Sequence, residues 1–312
     1  VGSGAGQDNF WPTVGAACDL IDIAGFSVTP EKAGVSGQDP VETRSVQPVP
    51  NPLDEFPIGA ATILAEEFPA AGENVGILNA DLDTLVTQAA RVKEAYESIG
   101  FTVVHEATYN ILGEANWAPF AAAIEQAGVT FLTFVGEGEN LALLQQALDE
   151  IGYEVEVTLQ DANFYDQGYI EAAGAAAEAT FLRNAFWPFE EADSNPATQQ
   201  YLDLLEAQGG KVAQLGVQAW SAWLLFAQAA RDCDLDDDLT RSCVLQAAAS
   251  VTDWTGGGLH ASTNPGENRG PDCTLVLQVQ GDEFVRYAPE DDAYACDPSY
   301  VAQLEGEYTV GG

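Results

Sequence analysis

Three repeats of a short apolar run followed by an amphipathic helix, closed by a fourth apolar run, fill residues 74–160 and confine the chain to one class of fold. VGILN (75–79), FTVVHE (101–106), VTFLTFV (129–135) and YEVEVTL (153–159) are compact and β-branched or aromatic. They read as strands buried in a parallel sheet. Between the first two, Leu82, Leu85, Val86, Ala89, Val92, Tyr96 and Ile99 recur at helical spacing up to Gly100. Segments 117–127 and 141–151 repeat the pattern and stop at Gly128 and Gly152, the residue type that takes the left-handed position after a helix. This rhythm predicts right-handed crossovers and a doubly wound α/β sheet. Such sheets bind ligands beyond the carboxyl ends of their strands, where this sequence carries Asn79, Asp81, Asp83, Glu137, Glu139, Asp161 and Asn163.

A chain of 312 residues exceeds what one core usually organises, so two lobes are expected. The segment 32–57, rich in Pro and Gly, reads as the linker between them. After residue 160 the sequence predicts a loop with a short helix, an aromatic extended run TFLRNAFWPF, and a helix capped by Asn195 with Pro196 in its first turn. An apolar helix over 216–231, a further helix capped by Thr240, and a hairpin TLVLQV–GD–EFVRY complete the chain. The resulting division assigns 1–53 with 190–290 to a first lobe, 54–189 to a second, and 291–312 to a C-terminal tail.

Forty-nine acidic residues against ten basic ones give a net charge of −39. That charge repels phosphate backbones and anionic membranes over the whole surface, so no nucleic-acid partner is expected. It is also what an adaptation to salt or a habit of the source proteome produces. The sequence has no apolar run near the roughly 20 residues of a membrane span. It opens at Val1 and contains no Met, so a mature or truncated product is expected. Among Cys18, Cys233, Cys243, Cys273 and Cys296, spacing favours bridges 233–243 and 273–296, which implies an oxidising, extracytoplasmic compartment. The alternative is five reduced, buried thiols.

Catalytic signals are sparse. GSGAG at 2–6 lacks the spacing of a dinucleotide loop. Asp232, Asp234 and Asp236 imitate the start of a calcium loop, but Asp237 stands where its glycine belongs and Cys243 where its bidentate Glu belongs. Two distant histidines, His105 and His260, give little material for a zinc site or a Ser-His-Asp relay. Ser221, in a helix between two Trp, reads as a packing residue. No cofactor and no metal are expected. The acids at the strand ends, with no Lys or Arg in their loops, read as an electronegative wall suited to an ammonium group.

The ordered set VGSGAGQDN, IAGFSVTPE, VGILNADLDTLVTQAARVKEAYESIGFTV, YDQGYIEAAGAAAEATFLRNAFWPFEE, GVQAWSAWLLFAQAARD and CTLVLQVQGDEFVRY resembles the type I periplasmic solute-binding proteins, in particular the branched-chain amino-acid receptors of ABC transporters. The resemblance implies two Rossmann-like lobes joined by hinge crossovers, with a first lobe lacking roughly two strand–helix units at its start. It implies a monomeric, non-enzymatic, extracytoplasmic receptor that closes on an amino acid or related amine and docks on a membrane permease. Carried onto this sequence, the ligand carboxylate meets Gln7, Asp8, Ser27 and Thr29. The ammonium meets Glu137 and Asp161, with Asp81 and Asp83 at the edge. Phe26, Phe164 and Tyr165 wall the side chain. The same fold also serves as a sensor module, or, as a further alternative, as a hydrolase scaffold.

Overall fold

The computed structural model describes residues 8–27, 29–178, 180–235 and 237–308. The chain divides into two compact units, the first formed by 1–57, 185–273 and 301–312, the second by 58–184 and 274–300. The first unit opens with α1 (Trp11–Ala17), β1 (Asp22–Ile23), α2 (Pro30–Ala33), α3 (Pro40–Thr43), β2 (Ser45–Val46) and β3 (Glu55–Pro57). The second then runs through α4 (Gly59–Glu67), β4 (Val75–Ala80), α5 (Asp83–Ser98), β5 (Val103–Tyr109) and α6 (Ala118–Ala127). It continues with β6 (Phe131–Val135), α7 (Gly138–Ile151), β7 (Val157–Gln160), α8 (Gln167–Ala173) and β8 (Thr180–Asn184). The chain returns to the first unit for α9 (Pro196–Gln208), α10 (Gln214–Leu235) and α11 (Arg241–Ala249). Strands β9 (Cys273–Gln280), β10 (Glu283–Ala288) and β11 (Ala295–Cys296) join the second unit's sheet, and β12 (Val301–Gln303) belongs to the first unit.

The sheet of the second unit has the order β10-β9-β8-β7-β6-β4-β5, with β11 paired to β9. Neighbours from β5 to β8 are parallel, whereas β9 runs antiparallel to both β8 and β10. The fold is α/β with a mixed sheet. Local chemistry sets the helix ends: Gly128 and Gly152 take the left-handed conformation at φ +68° and +72° and return their N–H groups to the last turns of α6 and α7. On the α5 side of the sheet, Tyr96, Phe101 and Phe131 meet edge-on or tilted at 5.2–5.6 Å between centroids. Such pairs add about 0.5–1.5 kcal/mol each beyond the area they bury.

Four sequence expectations change here. FTVVHE is not a buried strand: β5 is the sheet's edge, and its residues alternate between half-buried and exposed up to Tyr109. Val86 of α5 is exposed, at the margin of the apolar stripe. The hairpin β9–β10, placed by sequence in a first lobe of 190–290, belongs to the second unit because β9 pairs with β8 from Asn184↔Leu275 to Phe181↔Gln278. Residues 291–312 are not a separate tail, since β11 joins the second unit's sheet and β12 pairs antiparallel with β3 in the first.

The first unit holds a two-stranded parallel sheet, β1 with β2, and the antiparallel pair β3–β12. Its core gathers Ile23, Val46, Leu225, Val244, Leu245 and Trp254 from the strands, α10, α11 and the following loop. The strand β1 is two residues long, Asp22–Ile23, and pairs with the two-residue β2. Asn195 caps α9 by accepting the N–H groups of Ala197 and Thr198, and Thr240 caps α11 through Cys243 N–H. Cys233 at the end of α10 is bridged to Cys243 in α11 with their Cα atoms 6.0 Å apart. Cys273 and Cys296 are also disulfide-bonded, and Cys18 is free and exposed. Among the described residues no helix is long and apolar enough to cross a membrane.

Candidate functional site

In the second unit the parallel strands β4 to β8 deliver their carboxyl ends to one edge. Asp81 follows β4, is exposed, and accepts the N–H of Ile111 at 2.8 Å, tying the turn after β4 to the turn after β5. Asp83 is the exposed first residue of α5. Glu137 is exposed at the N-cap of α7 and makes no capping bond with its side chain, so its carboxylate stays available beside a helix N-terminus. Asn163 is exposed and donates to the Gly136 carbonyl at 3.2 Å.

Asp161 is placed differently from the sequence expectation. One oxygen accepts the Ala162 N–H at 2.8 Å and the other pairs with the Arg183 guanidinium at 2.8 Å. The strand ends therefore carry a cation after all, and Asp161 is not an uncommitted partner for an ammonium group. Sequence reasoning missed Arg183 although it is one of only ten basic residues and lies in the apolar run TFLRN. Its rarity was the available signal. The pair is partly exposed, so Asp161→Asn is expected to cost at most about 1 kcal/mol, read as a small fall in urea midpoint that shrinks further in high salt.

Phe164 and Tyr165 are buried rather than lining an open surface. Phe164 meets Tyr169 edge-on at 5.7 Å, and Tyr165 meets Phe284 at 4.8 Å. A loop aromatic finds its burial in its own unit when β9–β10 and α8 supply the rings. The aromatic cluster that does stand at the strand ends is another one: Tyr109 stacks on Phe134 at 4.6 Å and meets Trp117 at 5.3 Å. Burial pushes the Tyr109 phenol well above its ordinary pKa, which keeps it protonated. Trp117 Nε1 and Gln160 Nε2 are buried polar atoms with no hydrogen-bond partner, an arrangement that costs free energy unless something else meets them, while the Tyr109 hydroxyl lies against the Glu137 backbone. Gln160 is held by its other amide atom, which accepts the Phe134 N–H at 3.2 Å just beyond the last paired residues of β6 and β7.

In the first unit, Gln7 lies outside the described residues. Asp8 sits 3.4 Å from Lys32, which is buried, lies 2.9 Å from Asp22, and stands over the Trp11 ring at 5.2 Å. Lys32 is the second cation that sequence reasoning did not place. Phe26 is half-buried. Ser27 and Thr29 are fully buried, and neither hydroxyl has a partner. The Ser27 carbonyl accepts the Asn51 side-chain amide at 2.9 Å.

A serine and a histidine do meet in the first unit. Ser221 Oγ lies 2.9 Å from His260 Nε2, Trp254 Nε1 donates to Ser221 Oγ at 3.0 Å, and His260 Nδ1 lies 2.8 Å from the Ala261 carbonyl. With Nδ1–H donating to that carbonyl, Nε2 accepts the serine proton. Ser221 and His260 are 0% and 2% exposed, and a carbonyl, not a carboxylate, orients the ring. This is a packed network. Among the described residues no group of three or more His, Cys, Asp or Glu side chains is placed to hold a metal.

A family model described as periplasmic binding protein matches residues 58–283. Among solved structures, the chain is similar to a branched-chain amino-acid ABC transporter protein from Thermus thermophilus with bound valine, at 15% identity and TM-score 0.74 over 96% of this chain and 78% of that one. It is also similar to a fatty acid ABC transporter substrate-binding protein from Thermomonospora curvata, at 14% identity and TM-score 0.75 over 96% and 74% of the two chains. A leucine-binding protein LivK from Thermotoga maritima matches at 15% identity and TM-score 0.66 over 88% and 74%. At these identities the likeness is one of fold. No curated protein matches the sequence.

Proposed function

Because the chain belongs to the periplasmic binding protein family, we propose that it is the extracytoplasmic solute-binding receptor of an ABC importer, taking a small polar or zwitterionic solute of amino-acid type and handing it to a membrane permease. The observation that carries this reading is the pair of buried, unpartnered hydroxyls on Ser27 and Thr29. Two such donors fit the carboxylate of an incoming ligand, which would meet the desolvation cost they now bear. The solutes named for the similar structures, valine and fatty acids, have a carboxylate in common and differ in the ammonium. We assign the ammonium to Glu137, supported by Asp81 and Asp83, with Asp161 excluded by its pairing with Arg183. The reading is of a binding protein, not an enzyme: the Ser221–His260 pair is buried and sealed from substrate. The two disulfides fit an oxidising compartment.

The test is thermal unfolding against amino acids, their desamino carboxylates, and simple amines. A ligand at a hundred times its Kd is expected to add about 2.7 kcal/mol to the stability of the receptor, and the shift should vanish in Ser27→Ala/Thr29→Val. A response to amino acids supports the full assignment. A response to desamino carboxylates alone removes the ammonium contact at Glu137, and no response to any carboxylate overturns the reading.

A further inference from the structure

The chain passes from one unit to the other at four points: Pro57–Ile58, Asn184–Ala185, Cys273–Thr274 and Tyr300–Val301. On the first-unit side, two of these segments are joined by backbone pairing, β3 to β12, with Glu55 opposite Gln303 and Pro57 opposite Val301. A third segment, 269–273, reaches the same place through one side chain. Glu55 is 3% exposed, and its Oε2 accepts the Gly270 N–H at 2.7 Å while its Oε1 accepts the Gln303 amide at 3.0 Å. Arg269 Nη1 stands 3.8 Å from Oε1. A Cβ added at Gly270 would lie 3.2 Å from Oε2, a tight contact that the carboxylate would have to ease.

A carboxylate is an unusual choice for a buried position in a chain carrying 49 acidic residues, since burying it is costly unless its lone pairs are well met. Here they are met by groups from segments far apart in sequence. From this arrangement we infer that Glu55 is a latch, a positioning residue that binds the first-unit ends of three of the four crossing segments into one body. β3 and β12 share a ladder of their own, whereas 269–273, which ends on the disulfide-bonded Cys273, meets them through the carboxylate. Hydrogen bonds to an ionised acceptor are the strong ones, and the removal of this acceptor leaves the half-buried Gly270 N–H and the Gln303 amide without the charge they now share. Residues 269–272 would then open separately from the β3–β12 ladder, up to the disulfide-bonded Cys273. This inference rests on the two-unit division and not on the identity of any ligand.

The test is hydrogen exchange on the intact protein, comparing wild type with Glu55→Gln and Glu55→Ala. In Glu55→Gln the amides of 268–273 and 301–304 are expected to exchange about tenfold faster or more, the scale set by losing hydrogen bonds to a charged acceptor. Peptides from α10 and α11, and from β4, β6 and β7, should keep their wild-type rates. Gln303→Ala should accelerate 301–304 alone, and its effect should disappear in the Glu55→Gln background, a coupling that an ordinary buried residue does not show. Uniform acceleration throughout the first unit, or unchanged exchange at 268–273, overturns the inference. If Glu55→Ala does not fold, Glu55→Gln and Gln303→Ala decide the matter between them.

Discussion

Replacing Gly136 by alanine is expected to cost about 3 kcal/mol, at the upper end of what overpacking a rigid interior costs. An added Cβ would sit 1.6 Å from Tyr109 Oη and 2.9 Å from Cζ. The ring cannot swing away, because Tyr109 is buried and held against Phe134 and Trp117. The requirement at Gly136 is one of space, not of backbone conformation. Urea unfolding of the variant should show the loss, and near-ultraviolet circular dichroism should show a disturbed tyrosine and tryptophan environment. Tyr109→Phe alone should cost about 1 kcal/mol or less, the net worth of the single contact its hydroxyl makes with the Glu137 backbone. In the double variant about half of the Gly136→Ala penalty should return, because the closest atom is gone. Full additivity of the two substitutions would mean that the phenol does not set the space at Gly136, and that the assignment of this glycine is wrong.

The second large effect is a loss of stability on acidification that originates at His260. Burial lowers its pKa to about 4, against the Ala261 carbonyl that acts in the opposite direction. In the unfolded chain the ring titrates near its ordinary value of about 6.5. Between these two values the unfolded state holds a proton that the folded state refuses, so stability rises with pH across that window. The contribution is complete above about pH 6.5 and is lost as the pH falls toward 4, at about 1.4 kcal/mol per unit and about 3 kcal/mol in all. Carboxylates titrate at the lower end of the same range, so the quantity to measure is the difference between wild type and His260→Gln. Urea unfolding followed by tryptophan fluorescence at pH 7, 6 and 5 suits the purpose, since Trp254 donates into the network and Trp220 and Trp223 lie on the neighbouring α10. The variant should lose most of the slope above pH 5. Parallel profiles for the two proteins would place the acid sensitivity elsewhere.

What the sequence made legible, it did through local signals. The strands of 74–160 and the helices between them follow from apolar periodicity, and Gly128, Gly152, Asn195 and Thr240 mark ends that the backbone geometry bears out. The bridge 233–243 follows from spacing because its two cysteines face each other across one short loop. What escaped depends on pairing at long range. Strand order is one example: β5 follows β4 directly in sequence, yet β6 returns to the other side of β4, which leaves β5 at the edge. Whether a hairpin of β9 and β10 joins one unit or the other depends on a partner, β8, some 90 residues away. The candidate site divides along the same line. Asp81, Glu137 and Asn163 stand at strand ends as the fold argument requires, because position along a strand is local. The pairing of Asp161 with Arg183 and the burial of Phe164 and Tyr165 depend on which neighbours the sheet brings alongside.

The four passages between units also govern the order in which a ribosome could release a foldable chain. Once residue 184 has emerged, the second unit has β4 to β8, but the β8 edge waits for β9 and stays open to other strands until residues 273–280 follow. The first unit waits longer still, because β3 near its beginning pairs with β12 at 301–303. The second unit is complete at residue 300 and the first only with β12 just after it, so both close when the last tenth of the chain is available. Folding that depends on such distant pairings is slow and leaves strand edges unprotected in the meantime. A cell making this protein therefore has to keep nearly the whole chain from misassociating before any of it is finished.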